Sequence, residues 1–92
     1  MQIAVLTLDF HLEGCRSLKQ KRQRLRGLRD RFGRLSNVAV CESDFPDQWD
    51  RAQWTFVCVG PSKAAVQGTC AKLEEHASQL DAVLYQQRLE YL

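Results

Sequence analysis

From Gln2 to Glu13 the chain alternates with a period of two. Ala4, Leu6, Leu8, Phe10 and Leu12 take the even positions, while Thr7, Asp9, His11 and Glu13 turn the odd ones polar. Successive side chains of a strand point to opposite faces, so this segment commits one whole face to a core. Ile3 and Val5 keep the early odd face apolar as well, which marks a central strand partly covered on both sides. The rest of the chain has to be arranged around it.

Gly14 breaks the strand. Ser17, with Gln20 three residues on, starts a helix as a capping box, and Leu18, Leu25, Leu28 and Phe32 recur at helical spacing. Gly33 is placed to close this helix as its C′ residue. Asn37 to Glu42 and Ala52 to Val59 read as two strands, the second more apolar. Between them Pro46 breaks the chain and Asp47 is placed to cap a single helical turn. After Gly60 and Pro61, Ser62 caps a second helix with the stripe Val66, Cys70, Leu73, Ala77 and Leu80. Ala82 to Leu92 is β-rich but alternates poorly, and is read as a fourth strand.

The order βαββαβ predicts an α+β fold of the ferredoxin-like split βαβ type, a four-stranded antiparallel sheet with both helices on one face. Right-handed crossovers put the first and third strands in the middle. The other face then shows Ile3, Val5 and Thr7 beside Thr55, Val57 and Val59, an aliphatic surface that wants a cover. With 92 residues and no linker-like composition shift, residues 1–92 are expected to form a single ferredoxin-like domain. No apolar run is long enough to cross a membrane and no leader pattern precedes the first strand, so the expectation is a cytoplasmic protein without a membrane partner. Cys15, Cys41, Cys58 and Cys70 are spaced by 26, 17 and 12 residues, which fits neither CxxC pairs nor a zinc-ligand pattern, so no metal is expected, and reduced thiols fit a cytosolic protein better than disulfides.

The stretch Ser17-Leu18-Lys19-Gln20-Lys21-Arg22 resembles the SLKxKR signature of the YlxP-like proteins, a family of small bacterial proteins of unknown function. Trp49-Asp50-Arg51-Ala52 is similar to that family's WxRA segment. The resemblance implies a ferredoxin-like fold, no established activity, and genes that often neighbour those for ribosome maturation and translation initiation; no cofactor is expected. It supplies no catalytic residues. The link before WxRA, with Ser43 to Asp47, departs from the family's shorter and less acidic pattern.

Charge gives the clearest functional signal. Nine basic residues and the single acid Asp30 lie between Arg16 and Arg34, a net +8, while the remainder of the chain carries −6. At 100° per residue Lys19, Arg22, Arg26 and Arg29 form a stripe on one flank of the apolar face, with Arg24 and Arg31 on the other. Such a block calls for an outside polyanion or an internal acidic counterpart. Lys21 points within the apolar stripe, where its stem is expected to lie over Leu18 and Leu25 with its ammonium on a sheet or loop carboxylate. Glu42, Asp44, Asp47 and Asp50 are the candidates to pair with Lys19, Lys21 or Arg22, which would bring the two motifs together around Ser17, Asp47, Trp49 and Arg51. Arg26, Arg29 and Arg31 lie too far down the helix to share those partners. Trp54 is expected in the core, and packing is the expected role of Trp49, with base stacking as its alternative.

No catalytic arrangement emerges. Cys15 beside Arg16 lacks a base, the three aspartates lack the spacing of a calcium loop, and Asp9 with His11 is only a shared strand face. The predicted open face carries no aromatics of the kind that stack RNA bases. The leading expectation is a non-catalytic protein binding structured RNA or the ribosome through phosphate contacts from Lys19, Lys21, Arg22, Arg26 and Arg29. A homodimer through the aliphatic sheet face is the alternative, and an enzyme acting on a small anion at the first helix start comes third.

Overall fold

The computed structural model describes all 92 residues. The elements are β1 (Gln2–His11), α1 (Leu18–Phe32), β2 (Val38–Asp44), β3 (Arg51–Gly60), α2 (Lys63–Ser78) and β4 (Val83–Tyr91). The strands form one antiparallel sheet in the order β2-β3-β1-β4, the α+β ferredoxin-like arrangement, with the two most apolar strands in the middle. Ala4, Leu6, Leu8 and Phe10 of β1 and Ala52, Trp54, Phe56 and Cys58 of β3 face the helices. They meet Leu25, Leu28 and Phe32 of α1 and Val66, Cys70, Leu73 and Ala77 of α2. A one-residue slip of β1 would turn four fully buried side chains to the opposite face, so the hydrophobic pattern fixes the register. The helices approach closely at Gly27, where a Cβ would stand 2.7 Å from His76 Nε2.

The opposite face carries Ile3 opposite Val59, Val5 opposite Val57 and Thr7 opposite Thr55, as the alternation implied. Beyond this stripe it turns polar. Thr55 donates to Ser43, Ser43 to Gln53, and the Gln53 amide to Asp9. Asp9 is buried and does not pair with His11, because the amide directly across the strand pair occupies it.

Both edge strands bulge at this level. β2 carries Ser43 as an extra residue between Glu42 and Asp44, and β4 carries Tyr85 between Leu84 and Gln86, flanking the Asp9–Gln53 row on its two sides. The bulge at Tyr85 explains the poor alternation of the last segment, since an extra residue shifts the face assignment part-way along the strand. It also corrects the expectation of an open face without aromatics, because the Tyr85 hydroxyl accepts a hydrogen bond from Arg51, which shares that face with His11.

Two local expectations are also corrected. Gly33 closes α1 from a right-handed conformation at φ −67°, its N–H donating to the Arg29 carbonyl at 2.9 Å. No helical turn follows Asp47. Phe45 instead adopts φ +58°, and the chain reverses through a turn closed by the Gln48 N–H on the Phe45 carbonyl.

Candidate functional site

The site begins with the cap of α1. Ser17 is extended, and its hydroxyl accepts the Gln20 N–H at 3.0 Å. The Gln20 side chain reaches back to the N–H of Arg16 at 2.8 Å, one residue earlier than in a standard capping box. No acid lies in the first turn, although the helix dipole favours anions there. One turn in, Lys21 is 3% exposed. Its ammonium donates to the Phe45 carbonyl at 2.6 Å and lies 3.3 Å from the Glu42 carboxylate.

The two sequence motifs meet through Phe45, which Lys21 and Arg51 both touch. A left-handed conformation costs a bulky residue roughly 1–2 kcal/mol, and three groups hold Phe45 in it. Lys21 takes its carbonyl, the Asp44 carboxylate accepts its N–H at 2.8 Å, and the Arg51 guanidinium sits 3.9 Å above its ring. Arg51 is further fixed by Tyr85, whose hydrogen bond raises the guanidinium pKa above its ordinary value. Lys21, expected among the anion-binding cations, is therefore structural, because its buried ammonium is consumed at the loop. Asp44, Asp47 and Asp50 pair with no cation, and Glu42 is the acid that does.

The remaining basic residues divide by flank. On the α2 side Arg24 bonds the Asp81 carbonyl at 2.7 Å, the Glu13 carbonyl at 2.9 Å and the Asp81 carboxylate at 3.3 Å. Arg31 lies 3.4 Å from His76 Nδ1. On the β2 side Lys19, Arg22, Arg26 and Arg29 line a groove of about 440 Å³. Its other walls include Leu18, Leu25, Pro46, Trp54 and the Lys21–Glu42 pair. Lys19 and Arg22 have no ion-pair partner. Arg26 faces Asp30 at 3.4 Å in an exposed pair, a kind of contact worth little in water. Arg29 stands 5.2 Å over the Trp54 ring. The later arginines thus do have internal contacts, which the helical wheel missed because an i,i+4 acid and an aromatic floor on β3 supply them.

Trp54 is core as expected, yet its indole N–H is buried without an acceptor. Trp49 departs from the packing expectation. It is 51% exposed, on the rim of a shallow depression that it shares with Cys15, Asp47, Gln48 and Asp50. Cys15 is buried with its thiol on the Ser17 carbonyl. Burial pushes the Cys58 thiol up to about 12 and raises Cys70 beside it, so both are neutral packing groups at ordinary pH. No cluster of three or more His, Cys, Asp or Glu is placed to hold a metal ion, and no helix is long and apolar enough to cross a membrane. The role of Phe45 carried no sequence signal, since nothing in the residue type announces a left-handed backbone.

Residues 3–87 match the model of a family described as "Protein of unknown function (DUF503)". The chain belongs to this family. No curated protein matches the DUF503 chain. Among solved structures it is similar to the "Crystal structure of Putative Chlorite dismutase TA0507", with a TM-score of 0.59 and 13% identity. The match covers 99% of this chain and 44% of that one, so the chain spans less than half of that protein. At such identity the likeness concerns the fold alone.

Proposed function

We propose that this DUF503 chain is a non-catalytic RNA-binding protein, associated with structured RNA or the ribosome through the β2-facing flank of α1. The observation that supports this reading most is the groove wall of Lys19, Arg22, Arg26 and Arg29, two of them unpaired and a third held only by an exposed i,i+4 acid. From Lys19 to Arg29 the cations are separated by ten residue steps of helix, about 15 Å at 1.5 Å per step, a length suited to following phosphates along a backbone. The likeness of Ser17–Arg22 and Trp49–Ala52 to the YlxP-like motifs, with their translation-linked gene neighbourhood, favours RNA among polyanions.

With Lys21 buried, four phosphate contacts remain, and they give a log–log salt slope of about −3. Fluorescence anisotropy of a labelled RNA hairpin, titrated across a range of salt concentrations, reads that slope directly. Binding that ignores salt, or that survives the combined Arg22, Arg26 and Arg29→Ala change, removes the reading.

A second reading, compatible with the first, is a homodimer through the other sheet face. It is favoured by the half-exposed aliphatic stripe Ile3, Val5, Val57 and Val59, which lies on the two central strands with both helices on the opposite side. The oligomeric state in solution tests it.

A further inference from the structure

Following phosphates needs only exposed cations, whereas here the cations rim a concavity. Its volume of about 440 Å³ falls within the 300–1,000 Å³ typical of small-ligand sites. Apolar side chains, Leu18, Leu25, Pro46 and Trp54, contribute to its walls. The Trp54 ring and the Glu42 carboxylate distinguish it from a purely cationic surface. The Trp54 indole forms part of its wall, with the ring's own N–H sealed from solvent. The Glu42 side chain, 26% exposed, lines the same groove while holding Lys21. Glu42 repels a phosphate inside the groove but accepts from a neutral amino group.

We propose that the groove between α1 and the bulged end of β2 accepts one unstacked nucleotide, so that the RNA partner is unpaired where it meets the protein. This rests on the RNA-binding reading above. A nucleobase is flat and uncharged, with a face to lie against the Trp54 indole and amino donors for Glu42, while the flanking phosphates meet Lys19, Arg22, Arg26 and Arg29 at the rim. An aliphatic side chain of an acidic peptide offers no flat face for the indole and no donor for Glu42. Bases stacked in a duplex leave the concavity unfilled, and RNA is recognised mainly where its bases are splayed out.

The test uses the Trp49→Phe protein, in which Trp54 is the sole tryptophan, and three unlabelled RNAs matched in phosphate number: an unstructured single strand, a hairpin with a loop, and a blunt duplex. Single strand and hairpin are expected to change the Trp54 emission and to bind about tenfold more tightly than the duplex. Trp54→Phe, checked for its thermal midpoint, is expected to reduce that preference while leaving the salt slope near −3. Should that variant not fold, the emission measurements decide. Equal affinity for duplex and single strand with unchanged Trp54 emission overturns the nucleotide site and leaves the RNA reading standing. Absence of binding to all three RNAs overturns both. An acidic peptide that matches the single strand at the same salt overturns the site in favour of a protein partner.

Discussion

Lys21 is the one buried cation of the chain and ties α1 to the loop after β2 through the Phe45 carbonyl. Its place in the apolar stripe of α1 implied a buried stem and an internal carboxylate, and Glu42 supplies it at 3.3 Å. The shorter bond, 2.6 Å to the Phe45 carbonyl, was not legible, because it depends on a left-handed residue that no residue type signals. Lys21→Met keeps the stem volume and deletes the charge. It leaves Glu42 partly buried without its cation and frees the Phe45 carbonyl, at a cost of about 2 kcal/mol. The cost is set below that of a fully buried pair because Glu42 is partly solvated. A urea melt should show a lower midpoint at unchanged slope, and RNA affinity should not move. If the midpoint holds, Asp44 and Arg51 suffice to keep Phe45 in place. If the affinity falls while stability holds, Lys21 belongs with the binding cations after all.

At the scale of elements, apolar periodicity and caps made β1, α1, β3 and α2 legible. The two edge strands were less so, because each carries an extra residue. Ser43 carries β2 two residues past its expected end, and Tyr85 breaks the alternation of β4. Pairing across a sheet corrects such slips, and pairing is not written into the local pattern. Helix α1 presents a different conflict, because its first turn holds cations where its dipole favours anions. Lys19 is exposed, unpaired, and one turn from the like charge of Arg22. Lys19→Glu should therefore stabilise the fold by about 0.5–1 kcal/mol, from the dipole and the new i,i+3 contact. The same change should weaken RNA binding about tenfold and make the salt slope shallower by about one. Thermal melts and anisotropy on one sample set check both signs. A variant that gains stability with undiminished affinity would remove Lys19 from the interface.

At the scale of the molecule, the sheet separates two surfaces of opposite character. The helix side carries the cationic groove, whereas the other side carries a stripe of four aliphatic residues that gives way to the Thr55–Ser43–Gln53–Asp9 chain of hydrogen bonds. Val57, 37% exposed and set between Val5 on β1 and Ala39 on β2, lies at the apolar end. A charge there costs little in an uncovered sheet, where it stays in water, and several kcal/mol where a second copy covers it. Sedimentation of the wild-type chain at micromolar concentration should therefore report a dimer, and Val57→Glu a folded monomer. Because the groove lies across the sheet from this stripe, the salt slope per protomer should be the same in both. A wild-type monomer whose sedimentation Val57→Glu leaves untouched would end the dimer reading. A dimer whose loss also flattens the salt slope would instead place both protomers at one RNA site, since only a contact shared between the copies couples the two faces.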